Sequence, residues 1–324
     1  MKAIVYYSYG SPDILKLEDV QNPLPGDDEV LVNVRAVSIN SWDWDMLTGK
    51  PYEYRLFSGL IKPKSTRLHG CDIAGTVEAV GKKAKRFKVG DAVLGDLSEG
   101  GWGAFAEYTC APENNLALKP ASMTFEEAAC LSHGGNLAVQ GLIDYGQIHS
   151  GQRVLINGGG GSTGTLAIQL AKLFDAAVTA VDRSEKLDMM RSLGADHFID
   201  YTKVDFTENG QKYDLIFDVK TTRSPSDYKR VLSPNGVYVT VGGKTFRILQ
   251  LIAFGTLVKK PKMHMVAYQA NKDLPYLIAL FEKGKLTPVI DKCYPLEETA
   301  DAFRYFGEGR FKGKIVITVG NRKY

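Results

Sequence analysis

"RVLINGGGGSTGTLAIQLAK" (residues 153–172) runs from a short apolar strand through a glycine loop into a helix without a break. Within it, Gly159, Gly161 and Gly164 make a G-x-G-x-x-G pattern. In such a loop the first glycine permits the tight turn and the second lets backbone N–H groups approach a pyrophosphate. The third lets the helix pack close to the strand. Ser162 and Thr163 open the helix, whose N-terminus adds its dipole and unsatisfied N–H groups to anion binding. The next strand, "AVTAVD" (177–182), ends in Asp182, where an acid would receive ribose hydroxyls. Strand, loop, helix, strand and acid arrive in the order that a dinucleotide site requires.

Working outward, the chain keeps alternating. After "AVTAVD" come "HFIDY" (197–201), "YDLIFDV" (213–219) and "GVYVTVG" (236–242), with helical stretches between most of them. Continuous apolar strands separated by helices predict a parallel sheet covered on both faces. Upstream the texture differs. "KAIVYY", "EVLVNVRAVSI", "DIAGTVEAVG", "DAVLGD" and "AFAEYTCA" are short alternating segments punctuated by Gly and Pro, as in a barrel or rolled sheet. A helical stretch begins near 122, with Ser122 or Thr124 as its cap. After "KDLPYLIALFEKG" the chain returns to strand-like "VIDKCYPL", helical "LEETADAFRYFGEG" and strand-like "KGKIVITV". Locally, that tail suits either an extension of the parallel sheet or a return to the first domain.

The bulk properties narrow the class. The chain has 324 residues, room for about two domains. A net charge of +3 is too small to point to nucleic acid or to an anionic membrane. The longest apolar run, "ILQLIAF" (248–254), is far shorter than the roughly 20 residues of a membrane span. Cys71, Cys110, Cys130 and Cys293 are widely spaced and include no C-x-x-C pair, which suits thiols in a reducing cytosol. The expectation is a cytoplasmic protein with no nucleic-acid or membrane partner.

"GCDIAGTVEAVGKKAKRFKVGDAVLG" (70–95), "GGWGAFAEYTCAPENNLALKP" (100–120), the 151–172 stretch, "LGADHFIDY" (193–201) and the final "GRFKGKIVITV" carry a resemblance. The whole chain resembles the medium-chain dehydrogenase/reductase superfamily, and within it the zinc-independent quinone oxidoreductases. The resemblance implies an α/β protein with two parts. A GroES-like β-barrel domain would take residues 1–121 and 286–324, and a Rossmann domain with a doubly wound parallel sheet would take 122–285. The tail should therefore return to the first domain.

"HGCDIAG" (69–75) bears on the chemistry, because His, Cys and Asp are all metal-binding side chains. In the zinc alcohol dehydrogenases of the superfamily, a Cys-x-x-Asp motif and a His-Glu pair supply zinc ligands. Here Asn40 stands at the Cys, Cys71 and Asp72 stand at the His-Glu pair, and His133 falls near the third ligand. His69 is out of register, and Trp42 replaces the proton-relay Ser or Thr. An Asn amide is a poor ligand, so the expectation is no metal. Quinones and conjugated enones then become the expected substrates, because they accept hydride without a Lewis acid.

The resemblance assigns candidate roles. Asn40 would donate to a developing oxyanion, with the capping of a turn as its alternative. Tyr52 and Tyr54, in "TGKPYEYRLFSGLIKPK" (48–64), are candidate proton donors or stacking platforms, with simple packing as theirs. Trp42 and His133 would lie near substrate. Val241, Gly242 and Gly243 would border the nicotinamide ribose. Asp182 favours NADH over NADPH, because a carboxylate repels a 2′-phosphate. Arg183 and Lys186 could instead pair with that phosphate or remain solvated, and Tyr201 and Arg310 match positions serving it in NADPH-using relatives. A homodimer is expected by analogy, through a late edge strand in 248–269. Two other readings stay open: a zinc-type alcohol dehydrogenase with degenerate ligands, and a nicotinamide-binding sensor without turnover.

Overall fold

The computed structural model describes residues 1–257 and 262–320. The first strands are β1 (Lys2–Val5), β2 (Lys16–Asp19), β3 (Glu29–Ser38), β4 (Asp72–Val80), β5 (Ala92–Asp96), β6 (Tyr108–Pro112) and β7 (Ala117–Leu118). Alternation along "EVLVNVRAVS" buries Val30, Val32 and Val34 on one face of β3, which pairs antiparallel with both β4 and β6. A second set follows: β8 (Arg153–Asn157), β9 (Ala177–Asp182), β10 (His197–Asp200), β11 (Tyr213–Asp218), β12 (Leu232–Thr240) and β13 (Lys262–Met265). The chain ends on β14 (Ile290–Pro295) and β15 (Lys314–Thr318).

β8 to β13 form one parallel sheet in the order β10-β9-β8-β11-β12-β13. The central strands read "RVLIN" and "YDLIFD" because both their faces are covered. Val154, Leu155, Ile156, Leu215, Ile216 and Phe217 are all buried, each worth about 1.5–3 kcal/mol as a side chain taken out of water. The strand order reverses between β8 and β11, and the crevice beyond their carboxyl ends is where ligands bind in such sheets. Asn157 and Asp218 close these two strand ends, joined by a hydrogen bond of 2.8 Å.

The expected return of the tail is observed. β15 pairs antiparallel with β3, and β14 lies alongside it, so the barrel sheet runs β14-β15-β3-β4-β5-β7 with β6 on β3. Phe303, Ile315 and Ile317 from the tail share a core with Val32, Ile73 and Phe105. The expected cap at Thr124 is present: Thr124 and Glu127 cap each other's backbone N–H groups. The compact units divide as Met1–His133 with Ala270–Glu282 and Val289–Tyr324, and Gly134–Gln269 with Lys283–Pro288. Residues 122–133 and 270–282 thus group with the barrel, whereas the sequence reading put them in the nucleotide domain.

Candidate cofactor and active site

The glycine loop joins β8 to the helix Ser162–Lys172. Its tight turn falls one residue earlier than the sequence pattern suggested. Gly158 has φ +86° and therefore needs glycine, while Gly159 is held by contact, since a Cβ there would lie 3.1 Å from Ala180 Cβ. Gly164 behaves as read: a Cβ would come within 2.1 Å of the Gly158 carbonyl. A Cβ on Gly161 would meet only that same carbonyl, at 3.6 Å, which leaves room for a ligand. Gly161 caps the helix without a side chain, and the buried Ser162 Oγ has no hydrogen-bond partner among the described residues. An orphaned hydroxyl and an uncapped helix N-terminus suit a pyrophosphate, so the loop fits the dinucleotide. Thr163 is buried beside them.

Asp182 is less available than its position in the sequence suggested. Its Oδ2 accepts from Gly160 N at 2.9 Å, and its Oδ1 accepts from Arg183 N at 2.8 Å. Lys186, itself buried, stands 3.4 Å from Oδ1. The carboxylate thus helps to hold the loop and has a lysine beside it. Arg183 is instead half-buried, and its Nε donates to the Tyr201 hydroxyl at 3.0 Å. Val241, Gly242 and Gly243 follow β12, with Thr221 N donating to the Gly242 carbonyl at 2.9 Å. Arg310 is exposed in the barrel unit and belongs to a different compact unit from Arg183, Lys186 and Tyr201.

The second constellation lies at one end of the barrel sheet. Register places Ser38, Asp72 and Asp96 side by side on β3, β4 and β5, and Lys314 opens β15 on the other side of β3. The buried Lys314 ammonium donates to Asn40 Oδ1 at 2.6 Å, Ser38 Oγ at 2.8 Å and Asp72 Oδ2 at 2.9 Å. Three acceptors satisfy its three donors. Burial works against the ammonium, but the Asp72 carboxylate outweighs it and holds the lysine above its ordinary pKa. Asn40 occupies the N-cap position of the helix Ser41–Thr48, yet its side chain turns to Lys314. The capping falls to Asp43, which accepts from Asn40 N at 2.8 Å and Gly70 N at 2.9 Å. Burial pushes the Asp43 carboxyl up to about 6 despite these bonds.

His133 extends the cluster. Its backbone N–H donates to Asp72 Oδ1 at 3.1 Å, and its Nδ1 lies 2.7 Å from Asp96 Oδ2. Burial disfavours the imidazolium, but Asp96 holds the pKa above the usual histidine value. Cys71 Sγ sits 3.6 Å from Asn40 Nδ2, and burial, with Asp96 next, raises its thiol well above the ordinary range. Trp42, 37% exposed, stacks on Trp102 and meets His133 edge-on. His69 lies apart from the cluster against Trp102 and Tyr6, and burial lowers it to about 4, so it is neutral. Tyr52 is 65% exposed with Arg55 over its ring, while Tyr54 is half-buried and its phenol is raised by burial. Sequence reasoning missed Lys314, Asp96, Ser38 and Asp43. The one available signal was a lysine and an aspartate at the ends of otherwise apolar strands.

Comparisons with known proteins agree with this architecture. The alcohol dehydrogenase GroES-like domain family matches residues 26–121, and the zinc-binding dehydrogenase family matches 193–317. The 2-methylene-furan-3-one reductase of Solanum lycopersicum is 38% identical over 98% of this chain and 79% of its own length. The NADPH-dependent alkenal/one oxidoreductase, chloroplastic, of Arabidopsis thaliana is 35% identical over the same shares. Among solved structures, the quinone oxidoreductase from Coxiella burnetii superposes with a TM-score of 0.88, at 27% identity and 99% coverage of both chains.

Zinc, which the second family description implies, does not fit the donor set. Cys71, Asp96 and His133 do bring possible ligand atoms within 4.8 Å of one another. However, His133 Nδ1 and Asp96 Oδ2 lie 2.7 Å apart and bond to each other, too close to serve as two corners of one tetrahedral ion. The first thiolate is replaced by the Asn40 amide, and a buried ammonium already supplies the local positive charge. With matched domains at both ends and relatives that align across almost its whole length, the chain belongs to the medium-chain dehydrogenase/reductase superfamily, among its quinone oxidoreductase-like members.

Proposed function

We propose that the protein is an NAD(P)H-dependent oxidoreductase that reduces a quinone or a conjugated enone without a metal. One observation carries this reading: a complete dinucleotide loop accompanies an Asn40–Lys314 hydrogen-bond cluster where the zinc enzymes have a thiolate ligand. Bound NAD(P)H would supply the hydride. An enone takes that hydride at its β-carbon, its carbonyl oxygen takes up the electron pair as an enolate, and a proton then reaches the α-carbon. Asn40 would donate to that oxygen. Tyr52 and Tyr54 both stand as candidate proton donors, while the exposed rings of Tyr52 and Trp42 offer faces to a flat substrate. Deuteride delivered from C4-labelled NADPH to the β-carbon of 3-buten-2-one, read by mass spectrometry, tests the reaction. Label absent from the product would refute it.

Support for the cofactor is divided. Asp182 in the sequence favoured NADH, but its carboxylate helps to hold the loop through Gly160 and has Lys186 beside it. Arg183 and Tyr201 together offer a cation and a hydroxyl to a 2′-phosphate, so the proposal is that NADPH is accepted at least as well as NADH. Homodimerisation through β13 is part of the same reading. β13 ends the sheet order, and the adjoining helix Thr245–Leu257 exposes Phe246, Leu249 and Ile252. Residence in a reducing, cytoplasmic compartment is also proposed, supported by the cysteines being thiols.

A further inference from the structure

We infer that Lys314 is a positioning residue for the reduction: its ammonium fixes the Asn40 amide with the N–H end, only weakly bonded, turned to meet the reacting oxygen, and places a positive charge behind it. This rests on the proposed reductase reading and adds a residue that neither the reading nor the sequence supplied.

An ammonium has three hydrogen-bond donors and no acceptor. Lys314 Nζ lies 2.6 Å from the Asn40 amide, so it must face the amide oxygen, because a nitrogen there would set donor against donor. The amide therefore has only one allowed orientation. Its other end is held loosely. Nδ2 lies 3.4 Å from the Ser38 carbonyl, longer than an ordinary N–H···O bond of about 2.7–3.2 Å, and donates at 3.6 Å to Cys71 Sγ, a weak acceptor. A ligand oxygen would thus find an N–H donor with little to displace. The ammonium also polarises the amide, which strengthens donation from its far end.

Burial makes this arrangement costly unless it has a use. Lys314 and Asp72 are almost fully buried, at 2% and 0% side-chain exposure, within a buried polar cluster that also holds Ser38, Asn40, Asp96 and His133. Such a pair is weak support for stability, since an apolar pair of similar volume often does as well. A fixed charge matters more when negative charge appears beside it. During enone reduction, the C–H bond formed at the β-carbon drives electrons onto the carbonyl oxygen, and a charge in a low-dielectric interior stabilises them without reorganising. Lys314 would then take the electrostatic part that zinc plays in metal-bearing relatives, acting through Asn40.

The test uses Lys314→Met combined with Asp72→Asn, so that no lone charge is left buried. The readouts are the fluorescence Kd for NADPH, the KM for 3-buten-2-one and the single-turnover rate of NADPH oxidation. A positioning role predicts that Kd and KM stay within about threefold while the rate falls about 10²–10³-fold. Adding Asn40→Ala should cost little more, because the two residues act as a unit. If the neutral pair does not fold, Lys314→Arg keeps the charge and replaces the single-point contact with a fork. It should slow the rate about tenfold with KM unchanged. A wild-type rate in either folded variant would overturn the role of Lys314 and leave the reductase reading standing. Wild-type protein that fails to oxidise NADPH with any enone or quinone would overturn both.

Discussion

Arg183 Nε donates to the Tyr201 hydroxyl at 3.0 Å, joining the residue after β9 to the residue after β10. Both groups sit just beyond the carboxyl edge of the sheet that carries the glycine loop, Arg183 half-buried and Tyr201 exposed. A guanidinium held there by a phenol is pre-ordered for a phosphate monoester. Arg183→Ala should raise the KM for NADPH about 10- to 100-fold, the worth of one charge-assisted hydrogen bond, and change the KM for NADH little. The ratio of kcat/KM values for the two cofactors measures this. Equal losses with both would remove Arg183 from cofactor choice.

The loop glycines separate folding from binding. A methyl at Gly164 meets the Gly158 carbonyl at 2.1 Å, which the rigid strand-to-helix packing cannot relieve. Gly164→Ala should lower stability by about 1–3 kcal/mol and abolish cofactor binding. Gly161→Ala meets nothing closer than 3.6 Å, so it should melt close to wild type while losing tenfold or more in NADPH affinity. Thermal melts with and without NADPH distinguish the two. Equal melting temperatures for both variants would contradict the assignment.

Asp43 should leave a mark on the pH dependence of stability. Burial raises its carboxyl from 3.8 to about 6 in the folded protein. The folded state therefore binds this proton before the unfolded state does, and stability from this group falls as pH rises from about 4 to about 6. The shift of about two units corresponds to about 3 kcal/mol. Asp43→Asn removes this slope, at the expense of presenting an amide N–H to one of the two backbone donors it caps. Urea unfolding of wild type and variant at pH 4, 5, 6 and 7 should show their difference shrinking by about 3 kcal/mol across the window. A difference independent of pH would refute the shifted carboxyl.

Zinc binding is a further check on the polar cluster. With His133 bonded to Asp96 and Asn40 bonded to Lys314, added zinc should show no stoichiometric, tight site by calorimetry at pH 7. One equivalent bound at micromolar or better affinity, and lost in His133→Ala, would show that the donor set reorganises around an ion.

Much of the fold was legible because its signals are local. The 153–182 stretch carries its own strand, loop, helix and acid, and apolar runs such as "YDLIFDV" declare a sheet covered on both faces. Four consecutive glycines, however, cannot say which one takes a positive φ. The pattern placed the turn at Gly159, and packing places it at Gly158. The return of the tail was not written in its alternation either, which suits any sheet, and came instead from family resemblance. The site was less legible. Asn40, Cys71, Asp72 and His133 were identifiable one by one, but Lys314, 274 positions from Asn40, joins them only because β15 pairs with β3. Asp96 enters because β5 pairs with β4 in one particular register. Burial of a lysine is decided by tertiary pairing, and hydrophobic periodicity gives no sign of it. Asp182 shows a different limit: its position could be read, but not that its carboxylate also accepts from the backbone of Gly160 and Arg183.

The most direct test of the central claim is the initial rate of NADPH oxidation by chelator-stripped protein with 3-buten-2-one and with 9,10-phenanthrenequinone as acceptors. The account predicts turnover with both, undiminished by removing metal, and a fall of at least tenfold in Asn40→Ala with KM for NADPH unchanged. Activity that vanishes on stripping and returns with zinc, or tight NADPH binding with no acceptor reduced, would contradict it.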